Sequence, residues 1–195
     1  SVAQLGINGS QARMVHGFSS SSFHAIRAIL THLPIDQDQW VFADLGCGKG
    51  RVLLLAIRHP FKRVVGVEHA ELLLNVCREN LRRFGSNTRC AEVDLRDEDA
   101  TAYLPPTDEN IVAFMFNPFS AELLTKCIVR LATTPLTKGK RRVVCFVQQR
   151  SNLVPRVDLL AISAALRPIE FGPLRFDWFS HPQLEVSLFD VLVPE

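Results

Sequence analysis

The residues with the clearest chemical potential form a glycine-rich segment, Asp44–Gly50, in a chain of 195 residues. Its sequence is Asp-Leu-Gly-Cys-Gly-Lys-Gly, and it lies between an apolar run that predicts a strand and a run that predicts a helix. Glycine permits left-handed backbone dihedrals and lets a ligand approach the main chain closely. A turn that opens a helix also presents unpaired N–H groups. The segment therefore predicts a ligand site built largely from backbone.

The spacing of these glycines separates the segment from two other nucleotide-binding loops. The dinucleotide fingerprint G-x-G-x-x-G would have its third glycine at position 51, where this chain has Arg51. The P-loop pattern also fails, because Lys49 lacks both the required spacing and a following Ser or Thr. The pattern here is G-x-G-x-G, with Asp44 two places before the first glycine. A nicotinamide-dependent oxidoreductase is therefore a weaker alternative.

Two further acidic residues stand at the predicted ends of the next two strands. Glu68 lies about 20 residues after the turn, the distance at which an acidic side chain can accept hydrogen bonds from the hydroxyls of a ribose. Asp94 ends the third predicted strand, where its carboxylate can accept a hydrogen bond from an adenine amino group. Open α/β sheets bind ligands at the carboxyl ends of their strands, so the acids should meet at one edge. The structural alternative is that Asp44 caps a helix, Glu68 is a solvated strand end and Asp94 opens a polar turn.

Taken together, these segments resemble motifs of the class I S-adenosylmethionine (SAM)-dependent methyltransferases. Asp44–Gly50 resembles the first motif, Val64–Glu68 the ribose-binding motif, and Ala91–Asp94 the adenine-binding region. The resemblance spans residues 40–147 and implies SAM as the cofactor. It implies the following cofactor-binding residues: Asp44, Leu45, Gly46, Cys47, Gly48, Gly50, Glu68, His69, Asp94, Leu95 and Asn117.

The segment Asn117-Pro118-Phe119 follows the fourth predicted strand and resembles the fourth motif of amino-group methyltransferases, usually Asn/Asp-Pro-Pro-aromatic. In that family the Asn oxygen and a following carbonyl accept hydrogen bonds from the target amino group, and the aromatic ring stacks on a planar acceptor. This chain has one proline, and Phe119 comes one place early; a broad group of bacterial methyltransferases has a similar Asn-Pro-Phe. The resemblance implies that Asn117, Pro118 and Phe119 are catalytic and that the acceptor is an amino nitrogen. Alternatively, Asn-Pro only ends a buried strand.

The composition limits the partners of the protein. Its 22 basic and 20 acidic residues give a net charge of +2, which by itself favours neither nucleic acid nor a membrane surface. No apolar run is long enough to cross a bilayer, and the five scattered cysteines are typical of reduced thiols in an intracellular protein. We therefore predict a cytoplasmic monomer or dimer without a metal site. Its methyl acceptor is an unidentified protein or small molecule; a non-catalytic SAM-binding regulatory module is the alternative.

The elements that must position these residues alternate between strand and helix patterns. They predict an α/β fold: a Rossmann-like three-layer sandwich with a mostly parallel seven-stranded sheet and an antiparallel C-terminal strand. Residues 1–34 form a cap segment and helix, and residues 35–195 form the methyltransferase domain. The predicted strands span residues 40–45, 63–68, 89–93, 111–116 and 142–147, followed by a hairpin of 169–176 with 184–188. The predicted helices span residues 22–33, 50–58, 70–84, 121–131 and, as a short helix, 158–166.

Other polar or aromatic segments have both a functional and a structural interpretation. Those at the predicted ligand edge of the sheet, or covering it, could contact the acceptor, although surface loops and turns are the simpler interpretation: Arg13, His16, Phe18, Phe23, Gln148–Arg150 and His181-Pro182. The basic residues Lys138, Lys140, Arg141 and Arg142, and the acidic run Asp97–Asp99, are predicted to be solvated turns.

Overall fold

The computed structural model describes residues 23–116, 120–149, 164–170 and 184–193. Seven strands form one sheet in the order β3-β2-β1-β4-β5-β7-β6. The pairs among β1 to β5 are parallel, and β7 runs antiparallel to both of its neighbours, β5 and β6. The strands are β1 (Trp40–Leu45), β2 (Arg63–Val67), β3 (Val93–Arg96), β4 (Asn110–Phe116), β5 (Arg142–Gln149), β6 (Leu166–Pro168) and β7 (Leu184–Val191). The predicted α/β fold, with its antiparallel C-terminal strand, is confirmed.

Helices cover both faces of this sheet, and β1 shows why. All six residues of β1 are buried, and its side chains alternate between two hydrophobic clusters. A strand of that type needs apolar cover on each face. Phe42 contributes to the cluster that contains side chains of α1 (Phe23–His32), α2 (Arg51–Ala56) and α3 (Glu71–Phe84). Val41 contributes to the cluster that contains α4 (Ala121–Thr133). A domain division at residue 34 stays a prediction, although α1 shares its core with the sheet.

Both strands at the sheet edges begin at residues other than those predicted. β3 begins at Val93 instead of ending there, and β6 lies at Leu166–Pro168, ahead of the predicted 169–176. An edge strand pairs on one side only and tolerates polar residues, so its hydrophobic pattern is weak. Asp94 is consequently the second residue of β3, and the prediction that it ends the strand is wrong.

The predicted solvated turn before β5 agrees with the exposure of Lys138, Lys140 and Arg141, but it is wrong for Arg142, which is only 1% exposed. Its guanidinium donates to the carbonyl oxygens of Leu131 (2.7 Å), Thr134, Pro135 (2.7 Å) and Pro106 (3.2 Å). The last carbonyls of a helix have no partner within the helix and need donors from elsewhere. Arg142 therefore closes the C-terminal end of α4 and ties it to the segment before β4.

The five cysteines are buried free thiols, as predicted. Within the described ranges, no helix combines the length and the apolar character needed to cross a membrane.

Candidate functional site

The turn between β1 and α2 has a backbone that only glycine adopts without strain. Gly46, Gly48 and Gly50 have φ values of 88°, 55° and 80°, in the left-handed region that is unfavourable for residues with a Cβ. The N–H groups of Gly46 and Cys47 both donate to the carbonyl oxygen of Val67, each at 2.9 Å. These bonds fix the turn to the end of β2.

Glu68 joins the glycine turn to the start of α3. Its Oε2 accepts a hydrogen bond from the Gly48 N–H at 2.9 Å, and its Oε1 accepts one from the Ala70 N–H at 2.8 Å. The side chain is half-buried, so it is not the solvated strand end of the structural alternative. A carboxylate has about four lone-pair positions, which leaves capacity for hydroxyl donors from a ligand.

Asp44 lies at the start of the same turn, and one oxygen of its buried carboxylate has no partner among the described residues. It is 2% exposed, and its Oδ2 accepts no hydrogen bond from the described residues. Burial, with a contribution from the charge of Glu68, raises its pKa to about 8. The N-cap of α2 is Gly50, so Asp44 is not the N-cap residue of this helix. An orphaned, buried acceptor with a perturbed pKa makes Asp44 a candidate for a ligand contact.

The floor of the turn is tightly packed. A Cβ on Gly50 would lie 2.5 Å from the Cys77 Sγ, and one on Gly66 would lie 2.4 Å from Leu53 Cδ1 and 2.8 Å from Leu95 Cδ2. The Cys47 thiol is hydrogen-bonded to Cys77 and buried, which raises its pKa far above the ordinary value. Among the predicted cofactor residues, the Leu45 side chain is buried in one hydrophobic cluster, and the partly buried Leu95 side chain packs against the other.

We expect Gly50→Ala to lower the free energy of unfolding by about 2–4 kcal/mol, because left-handed strain and overpacking against Cys77 add together. Urea denaturation measures this change. Gly139→Ala is a matched control: Gly139 also has a left-handed φ, 84°, but its Cβ would meet nothing within 4 Å, so only the strain remains. Equal losses in the two variants would contradict the packing argument. In a protein that already carries Cys77→Ala, Gly50→Ala should cost less free energy of unfolding than it does in the wild type, because the crowding Sγ is gone.

A third acid stands at this edge, but it is Asp97 and not Asp94. The Glu68 N–H donates to the Arg96 carbonyl at 3.1 Å, so the exposed Asp97 follows directly at the level of Glu68. The Asp94 carboxylate instead accepts a hydrogen bond from Arg96 Nε at 2.9 Å. Adenine binding by Asp94 stays a prediction. Asp97 was missed because the predicted strand ended three residues too early and the acidic run looked like a solvated turn.

Several predicted contacts fall outside the described residues: Asn117, Pro118, Phe119, Arg13, His16, Phe18, Arg150, His181 and Pro182. Their roles stay predictions. β4 ends at Phe116, directly before Asn117, and it pairs with β1 so that Phe114 lies opposite Asp44. Of the remaining candidates, His69 is exposed beside Glu68, and Phe23 is 49% exposed with the guanidinium of Arg51 5.0 Å from its ring centre. The start of α1 thus lies beside the start of α2.

Part of the chain is similar to a known family of domains. Residues 42–133 match the family model of a methyltransferase domain, a range that includes the glycine turn, all four acids discussed above and Asn117. No curated protein matches the chain by sequence.

Solved structures with the same fold are methyltransferases of low sequence identity. A SAM-dependent methyltransferase from Aquifex aeolicus has a TM-score of 0.64 at 12% identity, over 98% of this chain and 99% of that one. Magnesium protoporphyrin IX methyltransferase from Synechocystis, solved with bound SAM, has a TM-score of 0.58 at 12% identity, covering 91% and 87%. Geranyl diphosphate methyltransferase in complex with SAM has a TM-score of 0.57 at 13% identity, covering 88% and 85%. The fold of this chain is therefore that of the SAM-dependent methyltransferases.

Proposed function

We propose that the chain is a SAM-dependent methyltransferase that binds SAM at the Asp44–Gly50 turn and transfers its methyl group to an amino nitrogen. The observation that carries the proposal is the buried, unpartnered Oδ2 of Asp44 at the start of the turn with its three left-handed glycines. The matched methyltransferase domain and the related structures with bound SAM support the same cofactor.

The residues at this edge suit the parts of that cofactor. The Glu68 carboxylate accepts one hydrogen bond each from Gly48 and Ala70, and its remaining lone pairs can accept hydrogen bonds from the ribose hydroxyls. Asp97, exposed at the end of β3, can accept from the adenine amino group. Asp44 can accept a hydrogen bond from a cationic group in the methionine portion of SAM. Such a bond would give its unpartnered oxygen a donor and favour the ionised carboxylate.

When bound, SAM supplies a sulfonium methyl group that is already a strong electrophile. The protein then needs to align an incoming nucleophile with this methyl group and exclude water, which is catalysis by positioning. In this proposal the Asn117 side-chain oxygen accepts a hydrogen bond from the acceptor amino group and directs the nitrogen lone pair. Phe119 stacks on a planar acceptor. A desolvated pocket lowers the pKa of the amine, so that the amine arrives neutral.

The raised pKa of Asp44 gives SAM binding a pH dependence of known sign. Without ligand, Asp44 is largely protonated below a pKa of about 8, and a cationic ligand binds the ionised form more tightly. The affinity for SAM should therefore rise with pH from 6 to 8, by up to about tenfold per unit, and level off above the pKa. Isothermal titration calorimetry across this range measures the slope and the release of a proton on binding.

Asp44→Asn is the control for this prediction, because the amide keeps the size of the side chain but cannot titrate. We expect weaker binding and a flatter pH profile. The same slope in the wild type and in Asp44→Asn would assign the titration to another group.

Two experiments test the function itself. SAM or S-adenosylhomocysteine should raise the melting temperature by mass action, whereas NADH should leave it unchanged; a shift with NADH alone would favour an oxidoreductase. Methyl groups from labelled SAM should then appear in a fraction of a cell extract, and Asn117→Ala should reduce this transfer far more than it weakens SAM binding. SAM binding without any transfer would support a regulatory module instead.

A further inference from the structure

Three exposed arginines lie close to His59 along the chain or in space: Arg58 precedes it directly, and Arg27 and Arg89 are near enough for their charges to act on it. Arg27 belongs to α1, Arg58 follows α2, and Arg89 lies between α3 and β3. Within the described part of the chain, none of the three takes part in an ion pair. We call these three residues the arginine patch.

Hydrogen bonds hold the elements that carry the patch in a fixed arrangement. His59 Nδ1 donates to Gln37 Oε1 at 3.0 Å, and Gln37 Nε2 donates to the Leu30 carbonyl in α1 at 2.6 Å. The backbone N–H of Arg89 donates to the Ile57 carbonyl at 2.7 Å. The end of α1, the end of α2 and the segment before β3 therefore meet at His59.

Two of the three charges of the patch, those of Arg27 and Arg89, act on His59. Arg27 is one helical turn before Leu30, whose carbonyl binds the Gln37 side chain that holds His59. Besides burial, the positive charges of Arg89 and Arg27 lower the pKa of His59. The positive charges of Arg27 and Arg89 therefore disfavour the charged form of the imidazole between them.

We propose that the arginine patch binds the phosphate backbone of a nucleic acid. Arginine offers a planar fork of donors that matches phosphate oxygens in pairs, and all three cations of the patch are arginines rather than lysines. Exposed Asp36 and Asp38 flank Gln37, but neither forms an ion pair with the patch. The net charge of +2 hides such a surface, because the charge total ignores where the charges lie.

The position of the patch fits a polymer better than a small ligand. α2 begins at the glycine turn and leads towards His59, nine residues after Gly50. α2 spans the 6 residues Arg51–Ala56, which is about 9 Å along a helix axis, so the patch lies beyond the opposite end of this helix from the turn. A chain of phosphates is long enough to contact the patch and also extend to the cofactor edge, whereas a single phosphate group cannot reach both.

The test measures binding of a labelled 20-nucleotide single-stranded RNA, and of a DNA of the same sequence, by fluorescence polarisation at several KCl concentrations. The triple variant Arg27→Gln/Arg58→Gln/Arg89→Gln should bind about tenfold or more weakly at low salt, with a salt slope smaller by about 2. The matched control Arg130→Gln/Lys138→Gln/Lys140→Gln removes three exposed cations elsewhere and should bind like the wild type. Circular dichroism checks that both variants fold.

Loss of binding in the patch variant alone supports the proposal, and the comparison of RNA with DNA identifies the kind of nucleic acid. The proposal is overturned if the wild type binds neither polymer, or if the two triple variants weaken binding equally. It is also overturned if poly-glutamate competes as well as RNA per unit charge, since the partner would then be an acidic protein. No SAM is present in this assay, so its failure is independent of the proposed methyl transfer.

Discussion

Glu68→Gln is expected to weaken SAM binding about 100-fold, the equivalent of about 2–3 kcal/mol for charge-assisted hydrogen bonds. The carboxylate accepts the N–H groups of Gly48 and Ala70 at 2.9 Å and 2.8 Å. A glutamine replaces one acceptor oxygen with a donor, which would face one of these N–H groups and push the glycine turn away from the end of β2. Ligand hydroxyls would lose an anionic acceptor at the same time. Isothermal titration calorimetry measures the loss.

Glu79→Gln is the matched control for this change. Glu79 is an acid in α3 whose carboxylate pairs with Arg82 and Arg83, away from the turn, and its loss should leave the SAM affinity unchanged. Glu68→Gln should also move the midpoint of the pH profile to lower pH, because the charge of Glu68 helps to raise the pKa of Asp44. Full SAM affinity in a folded Glu68→Gln variant would place the cofactor elsewhere.

Arg142→Met is expected to lower the free energy of unfolding by about 4 kcal/mol or more, because each buried carbonyl that loses its donor costs about 1–3 kcal/mol. The guanidinium serves four carbonyl oxygens at the end of α4 and in the flanking segments. Methionine fills most of the space but donates no hydrogen bond. Urea denaturation, followed by far-UV circular dichroism, measures the change through its midpoint.

Arg130→Met makes the same substitution at an exposed residue of α4 that forms no ion pair in the described part of the chain. We expect a change within about 0.5 kcal/mol there. A loss in Arg142→Met no larger than that in Arg130→Met would show that water can replace the guanidinium. Arg142→Lys should fall between the wild type and Arg142→Met, since one ammonium cannot reach all four oxygens.

The sequence predicts the centre of the sheet better than its edges. β1 has the predicted bounds, Trp40–Leu45, because every one of its side chains is buried and a continuous apolar run leaves little choice of register. β3 is an edge strand in which charged residues follow Val93, so its pattern resembles that of a turn. Burial of Arg142 could not be predicted from the sequence. Its partners are backbone carbonyls that lack donors of their own, and they come within reach of Arg142 only because α4 ends beside β5.

The candidate site divides in the same way. The glycine turn, Asp44 and Glu68 can be predicted from local sequence, because each lies at the end of an interior strand. Two other properties of the site cannot be predicted in this way. The orphaned Oδ2 of Asp44 depends on packing from several elements, and the level of Asp97 beside Glu68 depends on the register between β2 and β3.

The place of β7 has a consequence for how the protein is made. β7 fits between β5 and β6 and pairs with β5 from Val143 to Gln149, yet it follows β1 to β6 in the sequence. During translation, β1 to β5 leave the ribosome first, and the far side of β5 then presents unpaired backbone groups. A nascent chain halted before Leu184 would expose the unpaired edge of β5, which favours aggregation. We therefore expect stalled chains to need chaperones that completed chains do not.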